Sequence, residues 1–295
     1  MRRILVTGGN GQVGWELRRA LAPLGEVVAP GRELLDLARP QTLAAAIAQL
    51  QPALIVNPAA YTAVDKAEAE PELARLVNAE APGVLAEAAA RLKIPLIHYS
   101  TDYVFDGHLG RAYRETDAPN PQSVYGATKR AGEEAIAAVG GRFLILRTSW
   151  VYGLRGKNFL LTMLRLGRER EEVGVVSDQI GAPTWSRLIA EASAHLAGAW
   201  LRGQEAGRAK LESGWGTYHL CARGHTSWHG FTAAIFAHLQ STEGRAARLK
   251  AIATSDYPTP AQRPANSRLD CAKLRSAFEL ELPDWQAGLD LCLEA

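Results

Sequence analysis

The chain has little cysteine: three residues in 295, at Cys221, Cys271 and Cys292. They are far apart in the sequence, and no two form a CxxC pair. This pattern excludes a disulfide framework and gives no support to a zinc site. Because such cysteine usage is typical of a reducing compartment, we expect a cytoplasmic protein.

Long apolar runs and an excess of charge are also missing. The first apolar run, Ile4 to Val6, is shorter than the core of a signal peptide. No window approaches the roughly 18 apolar residues of a membrane span. With 33 basic and 31 acidic side chains the formal net charge is +2, which creates no strong field for nucleic acid or an anionic membrane. We therefore expect neither a membrane nor a nucleic acid as partner.

The first half of the chain alternates short β-branched runs with longer helical patterns. The predicted strands are Arg3–Thr7, Val27–Ala29, Leu54–Asn57, Leu96–Ser100 and Leu144–Thr148. The predicted helices between them are Val13–Leu24, Thr42–Leu50, Glu72–Leu92 and Tyr125–Val139. Strands separated by helices indicate βαβ units with right-handed crossovers. The predicted fold class is therefore α/β, with a Rossmann-type doubly wound parallel sheet.

The second half differs in composition, because six of the seven tryptophans lie at Trp150 or later. Helical patterns cover Phe159–Arg168, Arg187–Leu201 and Trp228–Leu239, and Gly203–Gly216 and Ser255–Ser267 are predicted loops. We expect a dinucleotide-binding domain over residues 1–150 and a smaller C-terminal α/β substrate lobe over residues 151–295. The boundary is soft, because later segments can return to the main sheet.

A glycine-rich loop follows the first predicted strand and leads into a helix. Its glycines Gly8, Gly11 and Gly14 fit GxxGxxG, and Gly9 in place of Gly8 gives GxGxxG. Glycine allows a tight turn and a close approach to a pyrophosphate, while the helix N-terminus offers free N–H groups to the anion. The position of the motif between strand and helix favours dinucleotide binding over a simple turn.

The end of the second strand bears on the choice of cofactor. An acid there would bind the adenosine ribose, but the sequence reads Ala29-Pro30-Gly31-Arg32-Glu33. The guanidinium of Arg32 could pair with a 2′-phosphate, which favours NADPH. Glu33 could bind the ribose hydroxyls instead, so NADH remains an alternative. Asp36 and Leu37 are expected to reach the adenine.

The candidate catalytic residues are Thr101, Tyr125 and Lys129. Tyr125 and Lys129 form YxxxK and lie on one face of a helix. A nearby ammonium lowers the pKa of a phenol, so that it can exchange a proton with a carbonyl oxygen. Thr101 follows an apolar strand, at the sheet edge where ligands bind, and could position that carbonyl. His98, inside the same strand, is expected to be a core histidine with satisfied hydrogen bonds.

Further stretches accompany these motifs and extend nearly end to end. They are Gly8–Gly14, Asn57–Glu68, His98–Phe105, Tyr125–Lys129, Arg147–Tyr152, Tyr257–Pro260, Arg263 with Pro264, and Asn266–Leu269. On these segments the chain resembles the extended short-chain dehydrogenase/reductase superfamily and, within it, the dTDP-4-dehydrorhamnose reductase family.

The resemblance implies a specific reaction and set of contacts. The reaction is the NAD(P)H-dependent reduction of the C4 keto group of dTDP-6-deoxy-L-lyxo-4-hexulose to dTDP-L-rhamnose, a precursor of cell-surface polysaccharide. Tyr125 would donate the proton beside Lys129, and Thr101 would polarise the ketone. Thr101, Asp102 and Trp150 would touch the sugar nucleotide. The residues implied to line the cofactor are Gly11, Gln12, Val13, Asp36, Leu37, Ala59, Ala60, Tyr61 and Tyr99.

Several expectations remain open at this point. Arg263 and Arg268 could clamp the substrate pyrophosphate or lie at the surface. Some members of the family are homodimers with Mg²⁺ at the interface, for which Glu16 and Glu191 are candidates, but no ligand spacing supports a metal. Another nucleotide-sugar 4-reductase or epimerase is an alternative function. A non-catalytic NADP-binding regulatory subunit is a second alternative, against which the intact Thr101, Tyr125 and Lys129 argue.

Overall fold

The computed structural model describes residues 2–206 and 214–295. Its centre is a six-stranded parallel sheet in the order β10-β5-β4-β3-β1-β2. The strands of this sheet are β1 (Arg3–Val6), β2 (Glu26–Val28), β3 (Leu54–Asn57), β4 (Leu96–Thr101), β5 (Phe143–Thr148) and β10 (Gly216–His219). The strand order reverses between β1 and β3, and such a reversal creates a ligand-binding crevice at the carboxyl ends of the strands. The predicted doubly wound parallel sheet is confirmed.

Helices cover both faces of this sheet. In the first part of the chain they are α1 (Gln12–Ala20), α2 (Pro40–Leu50), α3 (Val64–Ala67), α4 (Pro71–Arg75), α5 (Ala81–Leu92) and α6 (Val124–Val139). In the second part they are α7 (Phe159–Glu169), α8 (Ser186–Ala206), α9 (Trp228–Glu243), α10 (Ala272–Phe278) and α11 (Trp285–Leu293). Helices α2, α5 and α6 share one face of the sheet, while α1 and α8 pack together on the other.

The alternation of strand side chains builds the two cores. In β1, Ile4 and Val6 face α1 and α8, whereas Leu5 between them faces α2 and α5. All three side chains are fully buried. A strand buried on both faces needs a continuous apolar run rather than polar alternation, which is the pattern found in its sequence.

In the described part of the second half, three two-stranded sheets surround an aromatic core. The pairs are β6 (Val151–Tyr152) with β9 (Thr184–Trp185), β7 (Glu172–Val176) with β12 (Arg248–Ile252), and β8 (Ile180–Gly181) with β11 (Thr226–Ser227). The core between α7, α9 and α11 includes Tyr152, Phe231 and Trp285, all buried. Strand β10 crosses back from this part of the chain to pair with β5, as the soft boundary allowed.

Several predicted elements differ in extent. The helix over Val13–Leu24 ends at Ala20 and is followed by a 3₁₀ turn, Ala22–Leu24, that contains Pro23. The helix over Glu72–Leu92 is interrupted by a π-helical turn, Leu76–Glu80. The loop predicted from Gly203 is wrong at its start, because α8 continues to Ala206. Residues 207–213 of that loop lie outside the described residues, and Gly216 already belongs to β10.

The described residues contain no helix that is long and apolar enough to cross a membrane. The three cysteines are free thiols, although the fold brings the Sγ atoms of Cys221 and Cys271 to 3.5 Å. Fifty residues separate this pair in the sequence, so spacing alone gave no sign of it.

Candidate active site

The glycine loop is a tight cradle between β1 and α1. Gly8 has a φ of 57°, and a Cβ placed there would lie 2.9 Å from the Cβ of Ala59. A Cβ on Gly14 would lie 2.2 Å from the Gly8 carbonyl oxygen. Gly11, the N-cap of α1, has no side chain to satisfy the first N–H groups of the helix. These free donors and the absence of side chains fit a pyrophosphate at this point.

Gln12, at the start of α1, is tied to the second half of the chain. Its Oε1 accepts a hydrogen bond of 3.0 Å from the Nδ2 of Asn158. Asn158 also caps α7, since its Oδ1 accepts from Leu161 N at 3.1 Å. Sequence reasoning missed Asn158, although an asparagine just before an apolar helical pattern is a recognisable N-cap signal.

After the end of β2, the exposed Arg32 lies next to Glu33, whose carboxylate already accepts a hydrogen bond. The Glu33 carboxylate accepts a hydrogen bond of 3.1 Å from the backbone N–H of Gly31, so it closes its own turn. The side chain of Arg32 is exposed, and no ion pair ties it to another of the described residues. Asp36 accepts from Ala38 N at 3.0 Å. The Leu37 side chain is buried with Leu35 in the core, so a contact of Leu37 with the adenine would come from its backbone.

The predicted cofactor residues after β3 are held by hydrogen bonds from neighbouring elements. Ala59 N donates to the Thr7 hydroxyl at 3.2 Å, and Tyr61 N donates to Asn78 Oδ1 at 2.8 Å. The loop from Ala59 through Ala60 to Tyr61 is therefore fixed against the glycine cradle. Asn78 is fully buried, and sequence reasoning missed it.

Helix α6 brings Tyr125 to Thr101 through a close backbone approach. Its N-cap is Ser123, whose Oγ accepts from Gly126 N at 3.2 Å. A Cβ on Gly126 would lie 2.2 Å from the Tyr103 carbonyl oxygen, so only glycine allows this contact. The Thr101 hydroxyl lies close enough to the Tyr125 phenol to lower its pKa, and the Tyr103 ring meets the Tyr125 ring edge-on, with centroids 5.5 Å apart. The predicted pair of hydroxyls is thus assembled at the carboxyl end of β4.

The acidity of Tyr125 differs from the sequence prediction. Burial raises the pKa of Tyr125 to about 12, with the Thr101 hydrogen bond opposing and the charge of Asp102 adding to the increase. The predicted lowering of this pKa by Lys129 is wrong for this structure, because desolvation of the phenolate dominates. A phenol of this kind is protonated at neutral pH, which suits a proton donor.

Lys129 is buried, with only 2% of its surface exposed, and it faces the sheet. Its Nζ donates to the Tyr99 carbonyl oxygen at 2.7 Å and lies 3.2 Å from His98 Nε2. Burial lowers the pKa of Lys129 to about 8, against the opposing charge of Glu133. The lysine therefore stays mostly protonated at neutral pH but loses its proton more readily than an ordinary lysine.

Tyr99 of β4 and Asp102 in the turn after it were both predicted to contact a ligand. The Tyr99 side chain points to the α8 face, where its hydroxyl donates to Ser193 Oγ at 2.6 Å. A contact of Tyr99 with the cofactor would therefore come from its backbone, whose carbonyl accepts a hydrogen bond from Lys129. Asp102, by contrast, is buried, and burial raises its pKa to about 6 against hydrogen bonds from Ser267 and Thr101.

The predicted substrate residues of the second half lie close by but are already engaged. The Trp150 ring stacks on Trp228, with centroids 3.5 Å apart. Arg263 pairs with Asp65 at 2.9 Å, and its charge acts on Tyr103 next to Tyr125. The latter contact places Arg263 near the candidate site.

Arg268 holds its own loop. Its Nε donates to Asn266 Oδ1 at 2.8 Å, and its Nη2 donates to the Gly110 carbonyl at 2.8 Å. These bonds hold the guanidinium within its loop, and a contact of Arg268 with the substrate pyrophosphate stays a prediction.

The acidic pair considered for Mg²⁺ lies on the α1–α8 surface. Glu16 and Glu191 line the same shallow groove, but Glu191 is bonded to Arg187 at 3.1 Å. Within residues 2–206 and 214–295, no three histidine, cysteine, aspartate or glutamate side chains form a group that could hold a metal ion.

Comparisons with known proteins agree on one family. The model of the RmlD substrate binding domain matches residues 1–295. The chain is 51% identical to a dTDP-4-dehydrorhamnose reductase of Burkholderia thailandensis, covering 99% of this chain and 98% of that protein. It is 46% identical to one of Escherichia coli, covering 97% and 95%.

Solved structures show the same architecture. A dTDP-4-dehydrorhamnose reductase of Bacillus anthracis in complex with NADP superposes with a TM-score of 0.87 at 33% identity, covering 100% of this chain and 99% of that one. A Thermus thermophilus UDP-glucose 4-epimerase complexed with NAD reaches a TM-score of 0.79 at 22% identity, which shows a shared fold only.

Proposed function

This chain belongs to the RmlD substrate-binding-domain family together with the matched dTDP-4-dehydrorhamnose reductases, and from that premise we propose that it catalyses their reaction. It reduces the C4 keto group of dTDP-6-deoxy-L-lyxo-4-hexulose to give dTDP-L-rhamnose, with NADPH as the cofactor. The observation that carries the proposal is the proximity of Thr101 to the Tyr125 phenol at the strand ends, in the same chain as the tight glycine cradle.

The cofactor would lie across the edge between β1 and β3. Bound there, NADPH supplies the hydride for the ketone carbon. The cradle would hold its pyrophosphate through backbone N–H groups, and the exposed Arg32 would pair with its 2′-phosphate. The proposed contacts are Gly8, Gly11, Gln12, Val13, Gly14, Arg32, Asp36, Ala59, Ala60, Tyr61, Tyr125 and Lys129, with Leu37 and Tyr99 reduced to backbone contacts.

Proton transfer belongs to the hydroxyl pair. Thr101 would hold the ketone oxygen by donating to it, and Tyr125 would give that oxygen its proton as the hydride arrives. The raised pKa keeps Tyr125 protonated until negative charge develops on the oxygen. The buried carboxyl of Asp102 lies next to Thr101 and would accept a sugar hydroxyl, with Trp150 and Arg263 completing the substrate side.

The proposal extends to the whole protein. Residues 1–150 would bind the dinucleotide and residues 151–295 would supply the substrate lobe. The enzyme would work in the cytoplasm, on a nucleotide-sugar substrate and as a homodimer.

The decisive experiment is product analysis. The protein is incubated with NADPH and the dTDP-keto sugar, NADPH oxidation is followed at 340 nm, and the product is identified by NMR. We expect stoichiometric NADPH oxidation and dTDP-L-rhamnose. A C4 epimer of dTDP-L-rhamnose would replace the product assignment and identify a 4-reductase of opposite stereochemistry, and conversion without net NADPH oxidation would identify an epimerase. Binding of NADPH without turnover would identify a regulatory subunit.

A further inference from the structure

A line of buried polar side chains joins the glycine cradle to the catalytic lysine. It consists of Thr7, Asn57, His98 and Lys129, and we call it the buried polar line. Thr7, Asn57 and His98 are fully buried, and Lys129 is 2% exposed. It runs from the end of β1 across β3 and β4 to α6, beside the apolar side chains that fill most of this face of the sheet.

Each link in the line is a short contact. Ala59 N donates to Thr7 Oγ at 3.2 Å, and Thr7 Oγ donates to Asn57 Oδ1 at 2.5 Å. Asn57 Nδ2 lies 2.9 Å from His98 Nδ1, and His98 Nε2 lies 3.2 Å from Lys129 Nζ. Buried polar groups are costly unless they are paired, so the direction of every hydrogen bond in this line is constrained.

The direction of the hydrogen bonds along the buried polar line is set by Thr7. The Thr7 hydroxyl has one proton, and among the described residues Asn57 Oδ1 is the acceptor paired with it. The amide of Asn57 then turns its Nδ2 donor toward His98, whose Nδ1 must accept. A neutral imidazole that accepts at Nδ1 carries its proton on Nε2. Burial lowers the pKa of His98 well below its ordinary value, with the charge of Lys129 adding to this, so the ring is neutral.

The remaining proton on Nε2 therefore faces Lys129. An N–H donor can bond to a neutral amine, which has a lone pair, but it repels an ammonium, which has none. We propose that His98 is a positioning residue, held as the Nε2–H tautomer by Asn57 and Thr7, which stabilises the neutral amine of Lys129. This rests on the proposed function in one respect: the lysine would replace the proton that Tyr125 gives to the substrate.

The proton balance follows from this arrangement. Tyr125 would lose its phenolic proton to the ketone oxygen, and the phenolate would be reprotonated at the expense of the Lys129 ammonium, which belongs to the next turn of α6. The resulting amine accepts a hydrogen bond from His98 Nε2–H while its own N–H still donates to Tyr99 O. Solvent returns a proton to the amine after the product leaves.

The charged group that opposes the stabilisation of the neutral Lys129 amine is Glu133. From α6, Glu133 raises the pKa of Lys129, and Glu133 is itself bonded to Arg147 of β5 and Arg130. From β4, the facing groups are His98 and the Tyr99 carbonyl. Asp102, in the turn after β4, acts on Tyr125.

Nuclear magnetic resonance tests the tautomer without any substrate. The full-length protein is labelled with ¹⁵N-histidine and measured at about pH 9, above the ordinary range of histidine. His98→Gln identifies the His98 signals by their loss. We expect the proton of His98 on Nε2, and a proton on Nδ1 or a doubly protonated ring would overturn the proposal.

The titration of Lys129 tests the consequence. Lysine ¹³Cε shifts are followed with pH in the wild type, His98→Leu and His98→Gln, with Lys129→Met to assign the signal. Loss of the donor in His98→Leu should raise the Lys129 midpoint by about one pH unit, the size of one hydrogen bond. The His98→Gln variant offers an amide donor in place of the ring N–H and should restore the wild-type midpoint. An unchanged midpoint in a folded His98→Leu protein contradicts the proposal.

A remote variant covers the case in which His98→Leu does not fold. Thr7→Val keeps the shape of the side chain but removes the hydroxyl that orients Asn57. It should allow the Nδ1–H tautomer of His98 and move the Lys129 midpoint upward, although Thr7 does not touch the lysine. A Thr7→Val protein with unchanged tautomer and midpoint also contradicts the proposal. If these shifts occur in a protein without reductase activity, the proposed function fails while the role of His98 stands.

Discussion

The sheet edge and the aromatic lobe use opposite means to hold their side chains. At the ends of β1, β3 and β4, buried polar groups are fixed by hydrogen bonds to one another. Between α7, α9 and α11, large rings such as Phe231 and Trp285 are fixed by contact alone. A polar site tolerates little rearrangement because an unpaired group is costly, whereas an apolar core can repack within limits. This difference fits the proposed roles, in which the sheet edge transfers protons and the lobe forms the walls of the substrate site.

The largest expected effect concerns the proton donor at the sheet edge. Tyr125→Phe keeps the ring but removes the phenolic proton, so we expect kcat to fall about 10²- to 10⁴-fold. NADPH binding, measured by fluorescence titration, should be retained because the cradle is untouched. Near wild-type turnover would remove Tyr125 from the mechanism.

The next effect compares two ion pairs, one in each region. Glu133 accepts from Arg147 at 2.7 Å with both side chains 2% exposed, whereas Glu243 pairs with Arg168 at the surface of the lobe. Glu133→Gln should lower the free energy of unfolding by about 3–5 kcal/mol, because it leaves a buried guanidinium without its counter-charge. The matched Glu243→Gln should cost less than about 1 kcal/mol. Urea denaturation measures both, and equal losses would contradict the comparison.

The pH dependence of the Glu133 pair has a defined sign. Burial raises the pKa of Glu133, but the hydrogen bonds and charge of Arg147 outweigh this and leave it lowered. The pair therefore contributes its stability above the unfolded-state pKa of about 4.3 and loses it as the pH falls through the lower folded-state value. The difference between wild type and Glu133→Gln should shrink over that acidic window.

A smaller effect tests whether the lobe shapes the substrate site. A Cβ on Gly181 would lie 2.4 Å from the Trp150 ring, whereas one on Gly174 would be in ordinary contact at 3.4 Å from Ile252. Gly181→Ala should therefore displace Trp150 and raise KM for the keto sugar by about tenfold, within the 1–3 kcal/mol of an overpacked core. KM for NADPH should stay unchanged. Gly174→Ala is the control, and equal KM values in the two variants would contradict a substrate role for Trp150.

The smallest expected effect is on cofactor choice. Arg32→Ala removes the exposed cation at the end of β2, and we expect KM for NADPH to rise several-fold, about 1 kcal/mol for an exposed charge pair. KM for NADH should not change, since NADH lacks the 2′-phosphate. Steady-state assays with both cofactors give the ratio, and a parallel rise for NADH would assign Arg32 a different role.

The sequence revealed those parts of the sheet edge whose signals are local. The glycine cradle and YxxxK are each contained within seven residues, and backbone geometry fixes what such short segments do. The sequence also allows the prediction that His98 and Tyr99 point to opposite faces of the sheet, because successive residues of a strand point to opposite sides. Applying that alternation would have assigned Tyr99 to the α8 face.

Other features depend on residues that the sequence does not bring together. Trp150 lies 78 positions before its stacking partner Trp228, and Gln12 bonds to Asn158 across 146 positions. The burial that raises the pKa of Tyr125 also comes from the assembled fold, so the YxxxK spacing alone gave the wrong direction. Such contacts follow from tertiary packing, for which a single sequence has no periodic signal.

Strand β10 has a consequence for how this chain can be cut or recombined. It pairs with β5 from a position far beyond residue 150, so a fragment ending there would leave one edge of β5 without its partner from Leu144 to Arg147. Open strand edges recruit other strands and aggregate. A chimera in which the first half comes from a relative would fold only if the fifth strand of that relative can pair with this β10. The two halves are therefore not independently exchangeable units.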